Sequence, residues 1–316
     1  MRFSVIIPLY NKAPYVAKSI SSVMDQTFTD YELIIMDDGS SDGSYDVALQ
    51  TLNGHSGCHI YKQTNSGVSM ARNNGVLLSR GEYLCFLDAD DWWHPTFLEE
   101  MDKLIAEFPD AGIYGTNYTI VNETRHKTRV ASVGVENGFE KGFIDYCKVY
   151  ARTMYMPLTS ISISVPRMVF DEMCGFPVGI KLGEDFLLWI RIALKYKVAF
   201  LNKPLSNYNQ DVDSLNRSVG RLHNPQCHML WNLDFLEDEE KCNSDLKQLL
   251  DNLRTFSLMP YLLSREYHNA ALQELCKVDW TRQPEKVNRL YHQPLILLRA
   301  KQALDRIGSS IKSIVR

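Results

Sequence analysis

Much that would make this sequence easy to place is missing. No stretch reaches the roughly 18 consecutive apolar residues of a membrane span. The Met1–Pro8 segment is too short an apolar run for a signal peptide, so a cytoplasmic protein is expected. Seven cysteines occur, but none forms a Cys-x-x-Cys pair and the number is odd. That argues for free thiols in a reducing compartment and against a zinc site or a disulfide framework. Basic charge is not in excess: the formal net charge is -4, which gives nucleic acid no global field to follow. No Gly-x-Gly-x-x-Gly follows the first apolar run, so a dinucleotide-binding Rossmann reading is weak. No Gly-x-x-x-x-Gly-Lys-Ser/Thr is present, which excludes a P-loop. A nucleotide here would be held by loops, carboxylates and a metal.

What is present is a regular alternation. Phe3 to Ile7 reads as a buried strand stopped by Pro8, and Leu9-Tyr10-Asn11-Lys12 follows as a loop. Pro14 suits a first helical turn, with Val16, Ile20, Val23 and Met24 at helical spacing. Tyr31 to Met36 is a second strand, and a helix is expected to start near Ser44. His59-Ile60-Tyr61 makes a short third strand, after which Asn65-Ser66-Gly67 opens a helix carrying Arg72. Glu82 to Leu87 is the fourth strand. His94-Pro95 starts a helix with Phe97, Leu98, Met101, Leu104 and Ile105 on its apolar face. Gly112 to Tyr118 is the fifth strand. Strands alternating with helices imply an α/β fold with a doubly wound, mostly parallel sheet.

The polar motifs each follow a strand. Pro8-Leu9-Tyr10-Asn11, Asp37-Asp38-Gly39-Ser40, Asn65-Ser66-Gly67 and Asp88-Ala89-Asp90-Asp91 should therefore converge at one edge of the sheet, where open α/β sheets bind ligands. Three carboxylates within four positions repel one another and call for a cation. Hard oxygen donors of this kind suit Mg2+ or Mn2+ beside substrate phosphates. The plainer reading of the same acids is a turn and a helix cap. Asp38 in Asp-Gly-Ser equally suits a turn, and Arg72 equally suits a solvated helix face.

Together and in this order these motifs strongly resemble the family 2 glycosyltransferases of the GT-A fold. The matching segments are Ser4 to Asn11, Gln26 to Asp42, Asn65-Ser66-Gly67 with Ala71-Arg72-Asn73, and Phe86 to Asp91; the resemblance as a whole covers roughly residues 1–210. It implies that Pro8 and Tyr10 line the base pocket of a nucleotide-sugar, and that Asp38 accepts from the ring N–H of a uracil-like base. Asn65 belongs to the same nucleotide-binding set, Arg72 lies near base and phosphates, and Asp88 contacts the ribose. Asp90 binds the divalent metal, Mn2+ or Mg2+, that bridges the diphosphate, and Asp91 is placed beside the acceptor with the least definite role.

Further on, Val133 to Gly138 reads as a loop, and Leu158 to Val165 alternates like a half-buried strand. Gly183-Glu184-Asp185 then opens an amphipathic helix. Acids there complement the helix dipole, which is a sufficient structural reason for them. The resemblance makes Asp185 the general base that deprotonates the acceptor hydroxyl, with Glu184 a neighbour that orients it. One base and no second carboxylate nucleophile fits a single, inverting displacement. The Gln/Arg-x-x-Arg-Trp motif and membrane spans of processive synthases are absent, so the implied enzyme adds one sugar, UDP-linked by expectation, to a glycan or lipid-linked acceptor in surface polysaccharide synthesis. A nucleotidyltransferase and an inactive nucleotide-sugar-binding protein are the alternatives. Asn216 and Arg217 resemble the end of the catalytic domain, with Arg217 better read as a surface charge.

The expected organisation is a catalytic domain over 1–220, divided into a donor half (1–118) and an acceptor half (119–220), followed by a helical extension over 221–316. Met229, Leu230, Leu233 and Phe235 are expected to begin one helix there, and Leu246, Leu249, Leu250 and Leu253 mark another. The basic C-terminal segment with Arg299, Lys301, Arg306, Lys312 and Arg316 suits either the inner face of a membrane, as a peripheral contact, or packing on a core.

Overall fold

A computed structural model describes residues 1–212 and 221–300. The chain divides into two compact units, Met1–Met229 and a second that begins at Leu230. The boundary expected at 220/221 lies at the edge of the stretch outside the described residues.

The first unit is built on one mixed sheet with helices. Its opening half runs β1 (Phe3–Leu9), α1 (Val16–Met24), β2 (Tyr31–Asp37), α2 (Ser44–Leu52), β3 (Cys58–Lys62), α3 (Val68–Leu78) and β4 (Tyr83–Phe86). The order continues β5 (Trp92–Trp93), α4 (Phe97–Glu107), β6 (Ala111–Asn122), β7 (Lys127–Val130) and β8 (Lys141–Ile144). After α5 (Tyr146–Thr153) come β9 (Ile163–Pro166), α6 (Arg167–Glu172), α7 (Glu184–Lys195) and β10 (Lys197–Asn209).

The sheet order is β3-β2-β1-β4-β9-β6-β10-β5, with β7 added to β6 and β8 to β10. Strands β3, β2, β1 and β4 are mutually parallel. β9 lies antiparallel between β4 and β6, which restores β6 and β10 to the direction of β4. The carboxyl ends of β1, β2, β3, β4, β6 and β10 therefore share one edge of the sheet. That follows from two reversals in succession, and no local pattern announces it.

Burial explains the strands. Phe3, Val5, Ile6, Ile7 and Leu9 are all inaccessible, as expected of a parallel strand covered on both faces. Pro8 continues β1 where the sequence suggested a stop. Leu9 faces β2, accepting from the Asp38 N–H, so Pro8 faces β4 just past its last pairing. The Leu87 N–H still donates to the Ile6 carbonyl, and the N–H that proline lacks ends the β1–β4 ladder there. α3 sits close on β1 because Gly75 has no side chain: a Cβ there would stand 2.6 Å from Ile6 Cγ2.

Three expectations are corrected. Leu158 to Val165 is not a half-buried alternating strand: a short 3-10 turn over Ser160–Ser162 leads into β9, and Ser160, Ser162 and Ser164 are buried alongside the apolar residues. Ser162 is held by reciprocal hydrogen bonds with Thr159, which explains a polar residue in the interior. β10, thirteen residues long, has no counterpart among the expected strands; Pro204 and repeated register shifts hide its period from the sequence. Where a helix was expected from Met229 to Phe235, the chain forms two 3-10 turns, Met229–Trp231 and Asp234–Leu236.

The second unit is helical, with α8 (Glu237–Cys242), α9 (Ser244–Ser257), α10 (Met259–Leu263), α11 (His268–Leu275) and α12 (Glu285–Tyr291). α9 buries Leu246, Leu249, Leu250 and Leu253 as their spacing implies, capped by the Asn243 side chain. Among the described residues no helix is long and apolar enough to cross a membrane. Asn216, Arg217, Lys301, Arg306, Lys312 and Arg316 lie outside the described residues.

Candidate active site

The loops after β1, β2 and β3 are laced together. Asn11 takes a left-handed conformation (φ 50°), donates its N–H to Ser40 Oγ at 3.1 Å and accepts from the Ser41 N–H at 2.9 Å. The Lys12 N–H donates to Ser44 Oγ at 2.7 Å. Asp38, 3% exposed, reaches from the second loop to the third. It accepts from Gln63 Nε2 and the Ser66 N–H at 2.7 Å, and from the Gly67 N–H at 2.9 Å. A carboxylate offers about four lone-pair sites, so three are committed to shaping the loop and one remains for a ligand donor. Tyr10 is half exposed and Asn65 exposed beside this frame, with Pro8 partly covered beneath it.

Arg72 is not on a solvated face. It is 3% exposed in α3 and joins two distant parts of the chain. Nη2 donates to Asp88 Oδ1 at 2.7 Å and Nη1 to Glu184 Oε1 at 2.9 Å, with the Phe176 ring 5.0 Å from the guanidinium carbon. Burial works against its charge, but Asp88 and Glu184 prevail and raise its pKa. Its Nε has no hydrogen-bond partner. Arg72 thus couples the acidic loop after β4 to the start of α7.

The three acids of that loop have different surroundings. Asp88 holds Arg72. Asp90 accepts from Lys12 Nζ at 2.6 Å, and both side chains are largely covered. Burial pushes the Asp90 carboxyl up, Lys12 opposes this, and Asp88 adds to it. Asp91 is 2% exposed and accepts from the Asn209 backbone N–H at 2.7 Å. Its pKa is driven well up, first by burial and then by Asp90 and Asp88. That carboxyl ties the loop to the end of β10, so the structure gives Asp91 a role in the fold.

Asp185 stands in the first turn of α7, after Gly183 in a left-handed conformation (φ 84°). Oδ1 accepts from the Phe186 N–H at 2.7 Å. Desolvation, and then the Glu184 charge, push the Asp185 carboxyl up to about 7, with Arg72 pulling the other way. A general base works best when its pKa lies near the operating pH. Tyr146 and Tyr150, both buried, are close enough to feel its charge, and the Tyr146 hydroxyl has no hydrogen-bond partner.

Among the described residues no three His, Cys, Asp or Glu side chains cluster as a self-sufficient metal cage. The donor chemistry still fits a divalent cation of the Mg2+ type, which commonly takes one or two carboxylates and completes its shell with substrate phosphates and water. Asp88 Oδ2 and Asp90 Oδ1 are the oxygens left outside the ion pairs with Arg72 and Lys12.

Lys12 and Gln63 are the residues that sequence reading passed over. Lys12 directly follows the Pro8–Asn11 motif, and a cation beside a strand-end loop was a signal available to it. Gln63 lies in an unremarkable strand end, and nothing local marks it as a partner of Asp38.

Residues 4–162 match the family described as Glycosyl transferase family 2. Over 222 residues the chain is 30% identical to the glycosyltransferase GlyA of Streptococcus pneumoniae, covering 68% of this chain and 32% of that protein. Over 291 residues it is 26% identical to the poly(ribitol-phosphate) beta-N-acetylglucosaminyltransferase TarP of Staphylococcus aureus, covering 88% and 86%. The chain spans about a third of the length of the first curated relatives it matches. Its structure superposes on S. aureus TarS 1–349 in complex with UDP-GlcNAc with a TM-score of 0.73 at 20% identity, covering 95% and 88% of the two chains. It also superposes on the mannosyltransferase PcManGT of Pyrobaculum calidifontis in complex with GDP-Man and Mn2+, with a TM-score of 0.57 at 17% identity, covering 99% and 87%. The sheet, the loops at its edge and the matched motifs agree: the chain belongs to Glycosyl transferase family 2 and has the GT-A fold.

Proposed function

We propose that this protein is an inverting glycosyltransferase. It moves one sugar from a nucleoside-diphosphate sugar, UDP-linked, to a hydroxyl of a surface-glycan or lipid-linked acceptor. The observation that carries the reading is the chain Asp88–Arg72–Glu184 with Asp185 beside it, pushed up to about 7. Glu184, next in the chain to that base, is joined through Arg72 by two ion pairs to the loop that carries Asp88 and Asp90. Support for the donor class comes from the relatives whose names and complexes include UDP-GlcNAc and GDP-Man.

In this reading the base stacks near Tyr10, with its ring N–H donating to the remaining lone pair of Asp38. Asp90 would hold a Mn2+ or Mg2+ ion, which would supply charge stabilisation to the diphosphate leaving group, and Asp88 would face the ribose. Arg72 keeps Asp88 oriented and offsets the negative charge of Glu184. Asp185 takes the proton from the acceptor hydroxyl as that oxygen attacks the anomeric carbon. Glu184 holds the base in place and keeps its affinity for the proton high. With one base and a single attack, the anomeric configuration inverts.

The test is a thermal-shift panel of nucleotide-sugars with and without Mn2+, followed by NMR of the product anomer. A ligand at 100 times its dissociation constant adds about 2.7 kcal/mol of stability. Absence of a shift with every nucleotide, or retention at the anomeric carbon, sinks the reading. The metal assignment has its own readout. Lys12→Met removes a competing ammonium from Asp90, so Mn2+ binding followed by electron paramagnetic resonance should tighten by roughly tenfold in the nucleotide-free protein. Unchanged Mn2+ affinity would remove Asp90 as its ligand.

A further inference from the structure

The β6–β7 hairpin carries charge opposite to that of the protein as a whole. Arg125, His126, Lys127 and Arg129 line a cavity of about 550 Å³ together with Ile120, Asn122, Thr128 and Gln210. No carboxylate lines it, and among the described residues none of these three Arg and Lys side chains forms an ion pair with an acid. The nearby Glu123 is engaged by Lys18 at 3.2 Å. The surface is exposed but built. His126 closes the turn in a left-handed conformation (φ 48°). The Asp211 carboxylate accepts the backbone N–H groups of Glu123 and Thr124, pinning the hairpin tip to the chain after β10. The Gln210 N–H donates to the Val121 carbonyl at 2.8 Å.

Its place in the fold relates it to the proposed base. β6 and β10 run in the direction of β4, so the hairpin rises from the same sheet edge as Asp88–Asp91. Arg129 lies 5.4 Å over the Tyr155 ring. Tyr155 and Arg129 both neighbour Tyr118, Tyr118 neighbours Tyr150, and Tyr150 feels the charge of Asp185. An array of cations and an imidazole without carboxylates is poor chemistry for a neutral glycan. It is good chemistry for phosphodiesters, since guanidinium groups bind phosphate oxygens in pairs and Lys supplies a point charge. On a chain of net charge -4, a polyanion needs such a patch to approach at all.

We propose that this hairpin is the acceptor-docking site and that the acceptor is a phosphodiester-linked polymer, gripped by its backbone phosphates while a hydroxyl is presented to Asp185. This rests on the transferase reading for the hydroxyl's fate, but not for the binding itself.

The experiment compares the full chain with the Arg125→Ser, Lys127→Ser, Arg129→Ser triple variant. Fluorescence anisotropy follows a labelled glycerol-phosphate oligomer, and UDP thermal shift reports on the donor loops. The wild type should bind the oligomer with an affinity that falls as salt rises. The variant should lose binding by roughly tenfold or more, with its UDP shift unchanged. In turnover assays the loss should appear in the acceptor KM, with kcat kept. Equal binding by the variant overturns the proposal. So does equally tight binding of the wild type to a neutral glucan oligomer. Hairpin-dependent binding to phosphatidylglycerol vesicles without oligomer binding assigns the cations to a lipid surface and also overturns it. If UDP gives no shift while the oligomer still binds through the hairpin, the donor reading fails and the docking site stands.

Discussion

Asp185, the proposed base, is where one side chain should set both activity and stability. Its folded-state pKa, about 7, lies above the ordinary carboxylate value. The folded protein therefore holds this proton more tightly than the unfolded chain. The associated stability is fully present below the ordinary carboxylate pKa and is lost as pH rises through about 7. Activity runs the opposite way, because only the ionised carboxylate accepts a proton. We expect kcat/KM to climb with pH through about 7 and then level off. Asp185→Asn should lower transfer by roughly 100- to 10,000-fold at constant UDP affinity. The same variant should melt higher than wild type at pH 8, where wild type keeps a charge in a poorly solvated position. A variant that turns over normally refutes the base, and one that melts lower at pH 8 refutes the electrostatic account.

At the scale of elements, the helix start at α7 matters most. Gly183 adopts φ 84°, and a Cβ on it would stand 2.3 Å from Met229 Sδ. Gly183→Ala should cost about 1–2 kcal/mol from backbone conformation alone, measured by urea unfolding. The displaced first turn should also shift the pH midpoint of activity, since Asp185 and Glu184 move with it. Elements whose apolar spacing is local were legible: α1, α4 and α9 bury the residues their periodicity marks. β10 was not, because Pro204 and its register shifts break the alternation on which a strand reading depends. The strand expected around Ser160 to Ser164 failed for a related reason: buried serines look like solvent-facing ones in sequence, and of these three only Ser162 is satisfied by local hydrogen bonds.

At the scale of the molecule, the second unit holds a charged interior. Arg254, 1% exposed, donates to Glu240 at 2.5 and 3.0 Å and to Asp251 at 3.3 Å, with Glu274 at 3.5 Å. Glu240 is lowered overall: burial opposes ionisation, but hydrogen bonds and charge from Arg254 exceed it. Arg254→Met leaves buried acids without their guanidinium and should cost about 3–5 kcal/mol of stability in denaturant unfolding. A cost below about 1 kcal/mol would mean that Lys247 and Lys277 carry that cluster instead.

The sequence by itself determined the alternating α/β plan, the family, and the candidate residues of the strand-end loops. These are local facts: turn chemistry after a strand, a periodic helix face, and acids in a short run. Only the tertiary structure decided what those residues do to one another. It set Arg72 between Asp88 and Glu184, put Lys12 on Asp90, gave Asp91 to the β10 backbone, and set Asp185 among groups that hold its proton. The Arg72–Glu184 and Asp91–Asn209 pairings join segments far apart in the chain and depend on how strand direction is reversed and restored across β9, whereas Arg72–Asp88 and Lys12–Asp90 need only the parallel pairing of β1 with β4. Charge alone marks a residue as able to bind; its partners and its burial decide whether it binds a ligand or the fold.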